Sequence, residues 1–112
     1  MRHFHAHIYW DNQKQREKAL DIREQLESFG CSIGQVMDKP VGPHPLPMYQ
    51  ANYSSSNAKV VETFLSEQEL TVLLHDVTGD HIKDHTEGAR WIGKELDLDI
   101  DWIKSILNPS LM

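Results

Sequence analysis

The stretch HFHAHIYW, residues 3–10, decides the predicted fold because polar and apolar side chains alternate along it. Successive side chains of a β-strand point to opposite faces, so this alternation predicts a strand with two different faces. One face is apolar and carries Phe4, Ala6, Ile8 and Trp10. The other carries imidazoles and a phenol, from His3, His5, His7 and Tyr9. We therefore expect one face to join a hydrophobic core and the other to be available for chemistry.

A helix and two further strands are predicted after this first strand. Asn12 and Gln15 resemble a capping box at the start of the helix. The apolar positions of that helix follow at helical spacing: Ala19, Ile22, Leu26 and Phe29. A short strand is expected at 31–36. The segment DKPVGPHPLP, residues 38–47, contains four prolines and predicts an irregular loop, and a strand is expected at 48–53.

The second half of the chain repeats the helix–strand order. Ser54, Ser55 and Ser56 would open a helix with a buried stripe formed by Val60, Val61, Phe64 and Leu65. The run LTVLLH, residues 70–75, predicts a strand. A third helix is predicted from three- and four-residue steps between Ile82, His85, Ala89, Ile92 and Leu96. A short final helix is predicted from Ile100, Ile103 and Leu107.

This order of elements predicts an α+β fold with the ferredoxin-like βαββαβ arrangement. We expect a sandwich with a four-stranded antiparallel sheet, two helices on one face, an open second face and extra C-terminal helices. In the predicted topology the first strand is central, parallel to the third and antiparallel to the fourth. The length of 112 residues predicts one domain spanning 1–112.

Composition narrows the expected partners and location. The net charge of -6 argues against nucleic acid, which needs a basic surface. No apolar run approaches the roughly 20 residues of a membrane span, and no signal region is evident, so we expect no membrane partner. The single cysteine, Cys31, rules out an internal disulfide framework and suggests a structural thiol in a reducing compartment. We therefore expect a cytoplasmic protein.

Four histidines are predicted to converge at one edge of the sheet. His5 and His7 lie early in the first strand, His44 precedes the third strand and His75 ends the fourth. If the apolar side of LTVLLH faces the helices, His75 shares the other face with His5 and His7. Imidazole is the commonest protein metal ligand and suits iron, zinc, copper and nickel. Bound zinc would favour hydrolysis, whereas Fe(II) with open positions would bind an organic ligand and oxygen together.

Three histidine-bearing blocks resemble the DOPA 4,5-dioxygenase family. They are FHAHIYWD at 4–11, VGPHPLPMYQ at 41–50 and LTVLLHDVTGDHIKDHTEGARWIGKELDLD at 70–99. The resemblance implies a small ferredoxin-like protein that cleaves a catechol ring in the extradiol manner with O2. Two departures stand out: Asp76 follows His75 where the family often has proline, and FLSEQEL at 64–70 lacks a typical Asn-Arg pair.

Resemblance and predicted geometry together suggest a site. A small aromatic diol such as DOPA or a caffeate-like phenolic would bind with O2 at Fe(II), although zinc or another divalent metal could occupy the site. The predicted metal ligands are His7, His44 and His75, and Asp76 would offer a carboxylate beside them. The predicted acid–base residue is His5, which could exchange roles with His7. Other residues are predicted to line the ring pocket or to orient a ligand, namely Tyr9, Tyr49 and Gln50 for the pocket and His85 for orientation.

Two other functions fit the same pattern. The open sheet face of this fold often forms a dimer interface, so the chain could be a non-catalytic dimeric module that binds a metal or a small ligand. It could also be a cofactor-free oxygenase. We expect a homodimer for each of these functions, the dioxygenase included, with the site at the rim of the interface.

Overall fold

The computed structural model describes residues 1–107, which form an antiparallel sheet of five strands and five helices. The strands are β1 His3–Tyr9, β2 Ser32–Ile33, β3 Met48–Ser54, β4 Val72–Asp76 and β5 Ala89–Ile92. The helices are α1 Gln13–Asp21, α2 Arg23–Ser28, α3 Ala58–Ser66, α4 His81–Asp84 and α5 Ile100–Leu107. The end of the predicted 1–112 domain lies outside the described residues. No described helix is long and apolar enough to cross a membrane.

The sheet confirms the α+β, ferredoxin-like prediction, but it has five strands where four were predicted, in the spatial order β2-β3-β1-β4-β5. The predicted parallel pairing of the first and third strands is wrong, because β1 runs antiparallel to both β3 and β4. The reason is topological. A crossover helix brings β2 parallel to β1, and the connection after β2 reverses the chain, so β3 must run the opposite way.

The third predicted helix is largely wrong, because residues 89–92 form the edge strand β5. Helix α4 ends at Asp84, and Gly93, just after β5, has a φ of +79°, which is outside the helical region. Within β5, Trp91 pairs with Leu73 on one face of the sheet, whereas Arg90 points to the other. This segment therefore forms a strand and not the predicted helix, because its backbone pairs with the otherwise free edge of β4.

One face of the sheet packs on helices α1, α2 and α3 to form the main hydrophobic core. The strands contribute the apolar side of the first strand, as predicted, together with Tyr49, Ala51, Val72 and Leu74. The helices contribute Ala19, Ile22, Leu26, Val61 and Leu65. Burying a large aliphatic side chain stabilises the fold by about 1.5–3 kcal/mol. Val60 was expected in this stripe but is 43% exposed, so the buried stripe of α3 is narrower than predicted.

The second face of the sheet is covered, which corrects the prediction of an open face. The loop before β3 and the segment after β5 pack over Tyr9, Met48 and Leu73. These two covering segments are joined, because the backbone N–H of Asp99 donates to the carbonyl of Pro43 at 2.9 Å. The predicted C-terminal helix α5 is confirmed and forms part of this cover, with Ile103 buried.

One glycine allows the two covering segments to meet. Gly42 has a φ of +56°, and a Cβ there would lie 3.2 Å from the ring of Trp102. A side chain at this position would therefore strain the backbone and push α5 away from the loop.

Candidate metal centre

Three histidines from two neighbouring strands converge on the second face of the sheet. His5 and His7 lie two residues apart on β1, and His75 of β4 is directly opposite His5. Directly opposite residues in an antiparallel pair share a face, so the predicted common face is confirmed. One ring nitrogen from each of the three lies within 4.8 Å of the others.

The contact between His7 and His75 has the spacing of two metal ligands. Their Nε2 atoms are 3.0 Å apart. For a metal–nitrogen bond of about 2.1 Å, two ligands at a right angle are separated by about 3.0 Å. The Nδ1–H of His75 donates to the carbonyl of Asp76 at 2.7 Å, so in the neutral ring Nε2 carries a lone pair. Such a hydrogen bond also fixes the ring orientation, as metal-bound imidazoles require.

The electrostatics keep the cluster uncharged at neutral pH. Burial, reinforced by the neighbouring His44, holds the pKa of His7 well below its usual range. Burial also lowers the pKa of His75 to about 4, although the hydrogen bond to the Asp76 carbonyl opposes this shift. For His5, burial followed by the nearby His85 lowers the pKa. Neutral imidazoles have free lone pairs, which is the state that binds metal.

One ring nitrogen in the cluster lacks a partner. Nδ1 of His7 is buried and makes no hydrogen bond to any described residue. An unsatisfied buried polar atom costs about 1–3 kcal/mol. The three-histidine cluster therefore costs stability in the metal-free protein, and its donor set, spacing and protonation state all fit a divalent ion such as Fe(II) or Zn(II).

His44 reaches this cluster by a route that the sequence did not predict. Tyr9, at the end of β1, pairs with Met48, so β3 begins at the far end from His5. The proline-rich loop then folds back over the sheet face, where the ring of His44 lies 4.2 Å from that of His7. His44 therefore approaches from above the face and not along an edge.

The ring of His44 makes a different contact from the one predicted for a ligand. Its Nδ1 lies 2.7 Å from the hydroxyl of Tyr9. The nitrogens within metal-binding distance of one another belong to His5, His7 and His75. The structure thus places His5, predicted as the acid–base residue, where the sequence had predicted His44. Burial, followed by the nearby His85, lowers the pKa of His44 to about 4.

His85 lies beside the cluster, with its ring centroid 4.3 Å from that of His75. Its Nδ1–H donates to the backbone carbonyl of His81 at 2.7 Å. The predicted hydrogen bond from His85 to a ligand histidine is therefore not made. In the neutral ring this leaves a lone pair on Nε2 of His85.

A cavity of about 260 Å³ opens above the histidines. This is slightly below the roughly 300–1,000 Å³ typical of drug-sized ligands, so it suits a single-ring compound. The predicted pocket residue Gln50 lies in its wall. The apolar walls come from the covering segments, and they include Pro43, Trp102, Ile103, Ile106 and Leu107. No lysine or arginine of residues 1–107 lines it.

Two predicted residues are excluded from this cavity by the alternation of the strands. Tyr49 faces the helices, fully buried, and its hydroxyl donates to the carbonyl of Ala19 at 2.6 Å. Asp76 is opposite Phe4, on the helix side, and pairs with Arg2 at 2.6 Å. Neither the predicted substrate contact of Tyr49 nor the carboxylate ligand Asp76 is possible in this arrangement.

Tyr9 is on the predicted face but is covered. It is 1% exposed and stacks on Trp91, with ring centroids 6.1 Å apart. It therefore supports His44 from below and does not line the cavity, which corrects its prediction as a substrate contact.

Sequence reasoning missed the apolar wall of the site and gave Asp84 no role. The apolar wall of α5 was predicted only as a helix packed on the body, although Trp102 beside the predicted apolar positions was a usable signal. Asp84 is 3% exposed and lines the cavity. Its carboxylate accepts hydrogen bonds from the backbone N–H and hydroxyl of Thr78, at 2.9 and 2.7 Å, which closes the turn before α4. Asp80 caps α4, and its side chain accepts a hydrogen bond from the backbone N–H of Lys83.

The fold and the site together define a small ferredoxin-like protein with a candidate histidine metal centre beneath a covered cavity. Residues 4–102 match the Dopa 4,5-dioxygenase family. The chain belongs to this family, and the resemblance found in the sequence is confirmed.

Individual relatives agree with this assignment. The chain is 27% identical to a DOPA 4,5-dioxygenase of Amanita muscaria over 88% of its own length and 47% of that protein. It is 30% identical to an uncharacterized 21.2 kDa protein of Botryotinia fuckeliana, over 92% and 64% of the two chains. The chain thus spans less than two thirds of either relative.

A solved structure matches almost the whole chain. It is the crystal structure of "a putative dioxygenase" from Nostoc punctiforme, with a TM-score of 0.88 and 35% sequence identity. The match covers 95% of this chain and 94% of that one.

Proposed function

We propose that this protein is an extradiol dioxygenase that cleaves a catechol ring with non-heme Fe(II) and O2. The observation that carries the proposal is the set of three neutral imidazoles whose nitrogens lie within 4.8 Å of one another below a covered cavity. Family membership supports oxygen chemistry, and the size of the cavity supports a single-ring substrate.

The residues that would hold the ion are His5, His7 and His75. When bound, Fe(II) supplies a Lewis-acid centre with open positions for a diol and O2. His75 is prepared for this task by its Nδ1 hydrogen bond to the Asp76 carbonyl. The buried position of His7 keeps water away from the inner side of the site.

The covering segments orient the ring and limit access of water. Pro43 and Trp102 both form part of the wall, and Gln50 offers an amide beside the histidines. Because no described lysine or arginine lines the cavity, a substrate carboxylate has no cationic partner there. We propose that the site recognises the diol end of a catechol, whether the rest resembles DOPA, caffeate or a smaller phenol.

A base is needed for the catechol proton, and His85 is placed to accept it. Its Nδ1–H is engaged by the His81 carbonyl, and its ring borders the cavity with a lone pair on Nε2. This assigns to His85 the acid–base role that the sequence had given to His5.

Oxygen consumption by the Fe(II)-loaded protein, prepared without oxygen and mixed with catechol, DOPA or caffeate, tests the proposal. We expect uptake of one O2 per catechol and a yellow ring-opened product. His75→Ala should abolish both the uptake and the product, because the two remaining histidines are too few to hold the ion. His3→Ala is the matched control, since His3 is exposed on the same strand face and should leave turnover unchanged. Tight metal binding without oxygen uptake would contradict the proposal.

A second candidate is a dimeric binding module without turnover. It is favoured by the exposed apolar side chains at the mouth of the cavity, Val77, Trp102, Ile106 and Leu107, which are 40–54% exposed. Such a protein would bind zinc or a small aromatic ligand as a homodimer. Sedimentation of the zinc-loaded protein together with the oxygen measurement separates the two functions.

A further inference from the structure

A hydrogen bond beneath the cavity determines which ring nitrogen of His44 carries the proton. The hydroxyl of Tyr9 lies 2.7 Å from Nδ1 of His44. Tyr9 is 1% exposed, and its hydroxyl makes no other hydrogen bond to the described residues. The two possible directions of this bond have different consequences for His44.

The direction of this hydrogen bond follows from the single hydroxyl proton of Tyr9, which needs an acceptor. If the hydroxyl donates to Nδ1, both groups are satisfied. If Nδ1–H donates instead, the buried hydroxyl proton has no acceptor among residues 1–107, which costs about 1–3 kcal/mol. The Tyr9 hydroxyl therefore donates, and Nδ1 of His44 accepts.

A neutral imidazole that accepts at Nδ1 carries its proton on Nε2. Nε2 of His44 makes no hydrogen bond to a described residue, and it is not among the fully buried atoms that lack one. Because His44 lines the cavity, its Nε2–H is available there. His75 and His85 have the opposite tautomer, since each donates its Nδ1–H to a backbone carbonyl at 2.7 Å.

We propose that Tyr9 is a positioning residue that holds His44 as the hydrogen-bond donor of the cavity. His44 then donates to an anionic oxygen of the bound catechol and is not a metal ligand. The identity of that oxygen rests on the proposed function, whereas the tautomer of His44 does not. The cavity thus contains histidines of two kinds, acceptors at His75 and His85 and a donor at His44.

Nitrogen NMR of the zinc-loaded protein tests the tautomer directly, because zinc is redox-silent and diamagnetic. Long-range ¹H–¹⁵N spectra should show His44 protonated at Nε2. In Tyr9→Phe the fraction of His44 protonated at Nε2 should fall, whereas the amount of zinc bound per protein should be unchanged. Tyr49→Phe, which removes a buried hydroxyl on the opposite face, is the matched control and should leave the His44 signals in place.

Binding of 4-nitrocatechol, followed by its visible spectrum, tests the role of the donor. We expect Tyr9→Phe and His44→Leu to weaken binding about tenfold, the cost of one hydrogen bond to a charged group. His44→Gln can present an N–H near the same place, and it should bind within about threefold of the unmodified protein.

Other outcomes overturn the proposal in distinguishable ways. His44 protonated at Nδ1 would overturn the assigned tautomer, and zinc lost from His44→Gln would show that His44 is a ligand. Equal binding of 4-nitrocatechol by His44→Leu and the unmodified protein would remove the donor role. If the unmodified protein bound no 4-nitrocatechol, the proposed function and the donor role would both fail, and the NMR spectra would still decide the tautomer.

Discussion

The two faces of the central sheet are built from alternate residues of the same strands, yet they follow opposite rules. On the helix face, Ala6 and Leu74 pack in an apolar core. One residue further along each strand, His7 and His75 point to the other face, buried and uncharged. The first arrangement stabilises the fold through burial of apolar surface. The second costs stability in the metal-free protein.

The helix face holds the fold together, whereas the histidine face is built to bind a ligand. A buried polar cluster with an unpartnered nitrogen has no structural benefit that the helix face does not already supply. If the two faces are separate in their roles, mutations on the helix face should lower stability and spare binding. Mutations on the histidine face should abolish binding without lowering stability. The following predictions test that separation.

The largest effect on stability is expected from Leu26→Ala on the helix face. Leu26 is fully buried, so its truncation should lower the free energy of unfolding by about 2–5 kcal/mol. Chemical denaturation measures this loss. Zinc affinity should be unchanged below the unfolding transition, because Leu26 does not touch the histidine face. Val60→Ala on the exposed side of α3 is the control and should cost less than about 0.5 kcal/mol.

On the histidine face, His7→Leu should make the metal-free protein more stable. The change removes the unpartnered Nδ1 of a buried imidazole and buries an aliphatic side chain in its place, which outweighs the loss of the 3.0 Å contact between Nε2 of His7 and Nε2 of His75. We expect a gain of about 1 kcal/mol in the free energy of unfolding. The same variant should lose high-affinity zinc binding, as measured by calorimetry. His3→Leu, at an exposed position, should change neither. A His7→Leu protein that is less stable than its parent would show that the imidazole stabilises the fold.

The pH-sensitive group of the helix side is a carboxylate, Glu62. Arg90, and to a lesser extent Tyr53, lower its pKa through hydrogen bonds. Because the pKa of Glu62 is lower in the folded state, its ionised form stabilises the fold at pH values above the unfolded pKa of about 4.5. This stabilisation is lost as the pH falls through the folded pKa. We expect Glu62→Gln to lower the free energy of unfolding by about 1 kcal/mol at pH 7 and by less at pH 3. Urea denaturation at both pH values checks this, with exposed Glu67→Gln as the control.

The smallest effect is expected from Tyr49→Phe. The variant loses one buried hydrogen bond to the Ala19 carbonyl and keeps the aromatic packing. Its free energy of unfolding should fall by about 0.5–1 kcal/mol. Catechol binding should be unaffected, in contrast to Tyr9→Phe. A change in binding that equals that of Tyr9→Phe would mean that the two faces are coupled.

The alternation of the first strand was enough to predict the two faces and the meeting of His5, His7 and His75. Period-two alternation is a local property, and the register followed from placing the apolar side of each strand on the helices. The same rule excludes Tyr49 from the cavity, since Tyr49 and Gln50 are neighbours on a strand and cannot both face it.

The remaining parts of the site depend on long-range packing that no local pattern encodes. The route of the loop carrying His44 is fixed by its contacts with α5, including the Asp99–Pro43 hydrogen bond. The strand β5 was mistaken for a helix because Ala89 and Ile92 match helical spacing, whereas its pairing depends on the free edge of β4. The tautomer of His44 depends on a tyrosine 35 positions away.

Anomalous diffraction from crystals grown with Zn(II) would locate the bound ion without relying on activity. The separation of roles predicts a single strong peak on the histidine face, about 2.1 Å from a ring nitrogen of His5, His7 and His75, with His44 bonded to Tyr9. A peak coordinated by His44, or one confined to surface histidines such as His81, would contradict it.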